Sequence, residues 1–468
     1  MKFQFSGSES NARSKNVGVQ QCINIFAEKS DSGKNAIGLY GCPGTVVVST
    51  PQAGVSLRGC IEHDDVAYWV AGTELYSMDL SLTVTLRGEL LTHVGYVSIE
   101  TNGLVLLIVD GTTGYTYTFS TTTFAEIADV DFPANPAKCA ILDNTFVVIN
   151  EGTQQFFTSA DGATWNALDF ASAESSPDNL ISVIADEPDL LFAGHAGIEA
   201  WRSSSDPSFP FTRMAVIKTG IIGVAAICRA DNSVFYLGHD KVVWRLNGYT
   251  PVRVSTHPIE FAIAEFSIAA DCIMWSQLEE GHVFVWLQFP SGNKTLVYDV
   301  ATGLWHRRAY RDPDTGALNR HRANCYLMFG NNPMVGDYEN GNIYELDLDE
   351  YSDDGDELPA ILVCSHIADG DNLHRVRHNS LTLDIETGVG LSTGQGSDPQ
   401  IMLKWSDDAG HTWGTEVWRS MGAIGQTKTE VKWQPLGIAR DRVYWAEITD
   451  PVKRVFAGAA LDVKALRS

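Results

Sequence analysis

The chain is short of positive charge. Its 468 residues hold 33 Lys and Arg against 58 Asp and Glu, for a formal net charge of −25. Proteins that grip nucleic acid neutralise phosphates with clustered Lys and Arg. The balance therefore excludes a conventional nucleic-acid binder and disfavours adsorption to anionic membranes. Long apolar runs are missing too. Stretches such as GLVLLIV at 103–109 fall well below the ~18 residues of a spanning helix, so no membrane span is expected. The opening MKFQFSGSESNARSKN lacks the apolar region of a signal peptide. The eight cysteines, at 22, 42, 60, 139, 228, 272, 325 and 364, form no CxxC and no knuckle-like cluster. They read as reduced, mostly buried thiols of a protein made in the cytoplasm. Charged residues are only 19% and apolar residues 44%, which excludes disorder and supplies a large core.

What is present is β-forming. Long stretches of helical period are scarce, and one pattern recurs: an apolar alternating run, a turn with Gly, then a second run carrying a large aromatic. It is seen in VAYWVAGTELYSMD (66–79), LVLLIVDGTTGYTYTFS (104–120), NTFVVINEGTQQFFTS (144–159), DLLFAGHAGIEAWRSS (189–204), SVFYLGHDKVVWRLNG (233–248), HVFVWLQFPSGNKTLVYD (282–299) and NPMVGDYENGNIYELD (332–347). The aromatics Tyr76, Tyr117, Phe157, Trp201, Trp244, Tyr298 and Tyr344 recur about every 40–54 residues. The turn glycines Gly72, Gly111, Gly152, Gly194, Gly238, Gly292 and Gly341 march with them. Alternating runs joined by Gly turns are hairpins, and a hairpin alone cannot bury its faces. This spacing accommodates about four strands per unit, the signature of a propeller blade.

The expected fold is therefore all-β: a β-propeller of seven blades (six is the alternative), followed by a C-terminal antiparallel β-sandwich. The expected organisation is an N-terminal extended segment over 1–54 that packs on the other domains, a propeller over 55–350, and a sandwich over 351–468. The longest interval suggests an insertion near 250–280. The acidic run DEYSDDGDE at 349–357 reads as a solvated linker at the domain boundary, since it lacks the ligand spacing of a calcium loop.

Few constellations offer chemistry. SDDAGHTW fits the Asp-box pattern S-x-D-x-G-x-T-W, with Ser406, Asp408, Gly410, Thr412 and Trp413 in the defining places. A shortened echo, SADGATW, spans Ser159 to Trp165. A carboxylate that accepts turn N–H groups explains both as hairpin staples. His374 and His378 in HRVRH lack the glutamate of a metalloprotease helix and sit in a strand-like run. His257, Glu260 and His282 have no nucleophile beside them in sequence and read as hydrogen-bonded structural groups. No GxSxG, P-loop or dinucleotide fingerprint is visible. No catalytic residue, metal ligand or cofactor is assigned.

Long ordered stretches carry a resemblance. They are ARSKNVGVQQCINIFAE (12–28), FASAESSPDNLISV (170–183), GIEAWRSSSDPSFPFTR (197–213), RLNGYTPVRVSTHPIEFAIAEF (245–266), EGHVFVWLQFPSGNKTLVYDVATGLWHRR (280–308) and MVGDYENGNIYELDLDEYSDDG (334–355). The end, KWSDDAGHTWGTEVWRSMGAIGQ with LGIARDRVYWAEITDPVKRV, is the most distinctive. The chain resembles the packaged-DNA stabilisation, or tail-nozzle, proteins of short-tailed bacteriophages. The resemblance implies a virion protein made in the host cytoplasm and assembled as a homohexamer beneath the portal and its adaptor ring. Tailspikes or fibres and a needle or plug protein are the further partners it implies. Double-stranded DNA would pass through without tight binding, because an acidic wall repels the phosphate backbone. At this charge the free chain is expected to be a monomer that assembles on its template ring. The competing reading is a carbohydrate-active or glycan-binding, sialidase-like propeller, which would need clustered arginines or a carboxylate pair.

Overall fold

The computed structural model describes residues 2–30, 36–174, 177–204, 209–370 and 374–466. Parts of two stretches quoted above, at 175–176 and 205–208, lie outside the described residues. The apolar runs become the middle strands of four-stranded antiparallel sheets. Six units each use four consecutive strands, five of them as separate sheets and the sixth continuous with a larger sheet. The first is Leu57–His63, Val66–Ala71, Glu74–Asp79 and Val84–Glu89. The sixth runs from Ile273–Glu279 to Leu304–Arg311. A seventh unit is composite. Ala323–Phe329, Asn332–Asp337 and Ile343–Asp347 are completed by Gly44–Ser49, which pairs antiparallel with Ile343–Asp347.

The first strand of each unit touches the first strand of the next, and the strand Ala323–Phe329 returns to Leu57–His63. The ring is a β-propeller closed by an N-terminal strand. Stacked blades bury both faces of their middle strands. That is why these strands read as continuous apolar runs and not as strict alternation. Phe284, Val285, Trp286 and Leu287 are all buried in one strand.

The sandwich packs two sheets. One contains Ala360–Val363, Asp441–Ile448, Gln400–Ser406 and Val417–Ser420. The other contains Ile25–Lys29, Ile37–Gly41, Val455–Ala465, Val376–Ile385 and Val431–Trp433. Their inner faces meet in one core that includes Ile361, Leu381, Leu383, Ile401, Leu403, Trp433, Tyr444 and Phe456. Residues 1–54 are thus divided. They give Ile25–Lys29, Ile37–Gly41 and the short Lys2–Phe3 to one sandwich sheet, Val19–Ile23 to the edge of the other, and Gly44–Ser49 to the last blade.

The two domains share a sheet. Val19–Ile23 pairs antiparallel with Ala360–Val363 of the sandwich and parallel, through Ile23 and Arg307, with the outer strand of the sixth blade. Asn24 ties the joint. It is fully buried with a left-handed φ of 55°, a conformation Asn tolerates better than most residues. Its Nδ2 donates to the carbonyls of Ala309 (2.8 Å) and Pro359 (2.9 Å), and its Oδ1 accepts from the Ala309 N–H at 2.8 Å.

The long interval between blades five and six holds the helix His257–Ala264, with Pro258 in its first turn where a missing N–H costs nothing. The acidic run at 349–357 is not a solvated linker. Ser352–Asp353 pairs with Gly44–Ser49 and turns back into Asp356–Glu357. Asp356 accepts from the Tyr310 hydroxyl (3.0 Å), and Glu357 pairs with Arg311.

Candidate functional site

The blade turns define two rims. The seven turn glycines all fall at the hairpin between the second and third strands of their blades. Gly72, Gly111, Gly152 and Gly341 take the left-handed conformation that Gly adopts without a Cβ penalty. Gly194, Gly238 and Gly292 do not, and close approach explains them instead. A Cβ on Gly292 would lie 2.7 Å from the Phe266 ring.

The opposite rim carries the turns between first and second strands. Five of them hold carboxylates: Asp64 and Asp65, Asp143, Glu187, Asp231 and Glu280, all exposed. All but Glu187 have positive φ, as the tight turns of two-residue hairpins require. No Lys or Arg stands within these turns, so five of the seven turns on this face carry acidic side chains, of which Asp231 is paired with Arg245 at 2.7 Å.

The Asp box is built as a staple. Asp408 Oδ1 accepts from the N–H of His411 (3.0 Å) and Thr412 (2.8 Å), and its Oδ2 from the Thr412 hydroxyl at 2.6 Å. Ser406 donates its hydroxyl to Asp408 (2.6 Å) and accepts from the Gly410 N–H (2.8 Å). These bonds, led by those from Ser406 and Thr412, hold the Asp408 carboxyl well below the usual range. Gly410 has a φ of 79°, and Trp413 meets Trp445 edge-on at 5.3 Å. The echo repeats the scheme in the third blade. Asp161 accepts from the Thr164 N–H (2.7 Å) and hydroxyl (2.9 Å), and the Trp165 indole donates to Gly162 O at 3.0 Å. In both boxes the carboxylate is fully engaged by its own turn.

The other candidates lie apart. His378 is buried in the sandwich, its Nδ1 2.9 Å from the Tyr444 hydroxyl, and His374 lies before that strand. Glu260 is held by Arg253 and accepts from the Ser255 hydroxyl at 2.7 Å, with exposed His257 one helical turn away. His282 is buried in blade six with Asp299 at 2.9 Å. Among the described residues, no group of three or more His, Cys, Asp or Glu side chains is arranged to hold a metal.

A buried charged junction escaped the sequence. Asp353, from the acidic run, is 4% exposed and accepts from the Thr45 hydroxyl at 3.4 Å. Arg454 of the sandwich, 1% exposed, donates to the carbonyls of Tyr351 (2.8 Å) and Asp450 (3.1 Å). Burial pushes the Asp353 carboxyl up to about 7, with Arg454 the chief opposing influence. The folded chain therefore holds this proton more tightly than the unfolded chain does. Stability should fall as pH rises from about 4 to about 7, by on the order of 3 kcal/mol from this group. The variant Asp353→Asn, which mimics the protonated acid, should match the parent near pH 4 and exceed it near pH 8. Denaturant unfolding of both chains at the two pH values checks this, and parallel profiles would refute it.

Comparison with known proteins agrees with this architecture. A family model described as bacteriophage P22 Gp10, beta-propeller, matches residues 6–351. A second, described as bacteriophage P22 Gp10, beta-sandwich, matches residues 361–464. No curated protein sequence matches the chain. A solved structure with some likeness is the N-terminal domain of Nup159, at 10% identity and a TM-score of 0.41, covering 70% of this chain and 99% of that one. No helix among the described residues is long and apolar enough to cross a membrane. The two models take in both domains and most of the strand exchange between them, and the chain belongs to the bacteriophage P22 Gp10 family of structural virion proteins, Gp10 being the DNA-stabilising tail protein of P22.

Proposed function

We propose that the chain is a non-enzymatic tail nozzle. Six copies would form a ring below the portal and its adaptor, retain the packaged genome and conduct it outward on infection. The observation that carries this reading is the pair of family matches covering both domains. Two physical features support it. The net charge of −25 and the carboxylate-bearing rim suit a conduit that repels the DNA backbone, so that a duplex slides past without being held. The Asp-box carboxylates are engaged by turn amides and hydroxyls, which fits a scaffold better than a glycan-cleaving pair. Tailspikes or fibres and a plug protein are the further partners of this reading, with the turn rims as rigid docking surfaces.

Quantitative mass spectrometry of purified particles tests it. About six copies per particle are expected for a closed cyclic ring. Absence of the chain from particles would overturn the nozzle reading.

A further inference from the structure

The seam of the ring lies between the last blade and the first. Their inner strands, Ala323–Phe329 and Leu57–His63, pack side by side. Asn324 Nδ2 donates to Leu57 O (2.9 Å) and to Ser56 Oγ (3.4 Å) across the seam. Leu57, Trp69 and Met78 from one side and Leu327, Phe329, Met334 and Ile343 from the other form one apolar cluster. Cys60 and Cys325 both pack against it, one from each blade. The two side chains thus come from facing inner strands onto one cluster, near enough for the Cys325 thiol to act on the Cys60 thiol. There is little slack here. A Cβ on Gly336 would meet Leu57 Cβ at 2.6 Å and Cys325 Sγ at 2.8 Å.

These two cysteines differ from the other six. All eight are free thiols, but only Cys60 and Cys325 keep part of their surface exposed. Cys22 donates its thiol to the Ile25 carbonyl at 3.1 Å, and Cys139 lies between Ser98 and the Leu107 carbonyl. The seam also has a structural meaning. It is where the chain's two ends of the propeller meet, held only by packing, hydrogen bonds and the closing strand Gly44–Ser49.

We propose that Cys60 and Cys325 form a latent disulfide site, which a small-molecule disulfide converts into a covalent fastening between the first and last blades. One cysteine thiolate attacks a sulfur of the small disulfide and releases one small thiol. The second cysteine loses its proton and displaces the other small thiol from the mixed disulfide. Two protein thiols are oxidised and one disulfide is reduced to two thiols, so electrons and protons balance. Burial and the neighbouring thiol push Cys60 well above the usual thiol range. The reaction therefore quickens toward alkaline pH and as the seam breathes. The fastening then constrains the unfolded chain across most of the propeller, which raises resistance to unfolding.

The test uses the full chain, reduced and then held with excess oxidised glutathione at about pH 8.5. Free thiols are then blocked with iodoacetamide, and a non-reducing digest is mapped. The expected result is one cross-linked peptide joining Cys60 to Cys325. It should come with a thermal midpoint raised by roughly 5 °C, reversed by dithiothreitol. The variant Cys325→Ser should give neither the link nor the shift. If that variant does not fold, the oxidised and re-reduced parent chain carries the comparison alone. The proposal is overturned if the two residues end as separate glutathione adducts, or are alkylated without linking. A linked ring that melts at the same temperature as the reduced one overturns it too.

Discussion

A chain that begins at residue 55 is expected not to fold. Removing residues 1–54 deletes Gly44–Ser49 and leaves Ile343–Asp347 as a bare apolar edge in the last blade. It also deletes Ile25–Lys29 and Ile37–Gly41 from one sheet of the sandwich, and Val19–Ile23 from the joint between the domains. The uncovered groups include backbone donors and acceptors in buried surroundings, which must otherwise be paired. The core loses Ile23, Ile25 and Leu39, all buried. Each such residue contributes about 1.5–3 kcal/mol by burial alone. Together with the unpaired backbone groups, these losses are as large as the ~5–15 kcal/mol of net stability a domain usually has. Circular dichroism and size exclusion of the truncated chain would show an aggregating or partly folded species. Supplying residues 1–54 as a separate polypeptide should restore a compact complex. A soluble truncated chain with a cooperative melt near the parent's would contradict this account.

Replacing one side chain at the joint should also be costly. Asn24→Ala leaves the N–H and C=O of Ala309 and the C=O of Pro359 without the side-chain partners they have now. An unsatisfied buried polar group costs about 1–3 kcal/mol. A left-handed backbone on Ala adds about 1 kcal/mol more. Because the losses share one cavity and are not additive, the expected destabilisation is about 3–5 kcal/mol. Asn24 sits between the domains, so its loss should also uncouple them. Urea unfolding followed separately through propeller and sandwich tryptophans should split from one transition into two. A single transition with an unchanged midpoint would show that the bonds from Asn24 are dispensable.

Much of the fold was readable because its signals are local. A propeller blade is announced by apolar runs, a Gly turn and an aromatic within about twenty residues, and these repeat. The Asp boxes were readable for the same reason: the bonds that Ser406 and Asp408 make in SDDAGHTW all close within six residues. What escaped was set by distant partners. GTVVVS at 44–49 looks like any short strand, and only the blade some 300 residues later shows where it belongs. DEYSDDGDE reads as solvated, yet Asp353 is buried because Thr45 and Arg454 arrive from opposite ends of the chain. The positions of Gly194, Gly238 and Gly292 were visible, but not the close neighbours that require them. Cys60 and Cys325 carry no shared motif, and closure of the ring alone makes them neighbours.

The sheet shared by the sixth blade and the sandwich has a mechanical consequence. Two domains joined by a loop can swivel. These two are joined by strands that pair on both sides, through Ile23 with Arg307 and through Gln21, Cys22 and Ile23 with Val363, Leu362 and Ile361. Bending at this point means stretching ladder hydrogen bonds together with those of Asn24, so the chain should carry torque as one stiff bracket. In any assembly of such brackets, opening and closing must come from slippage between neighbouring chains, and not from flexing within one.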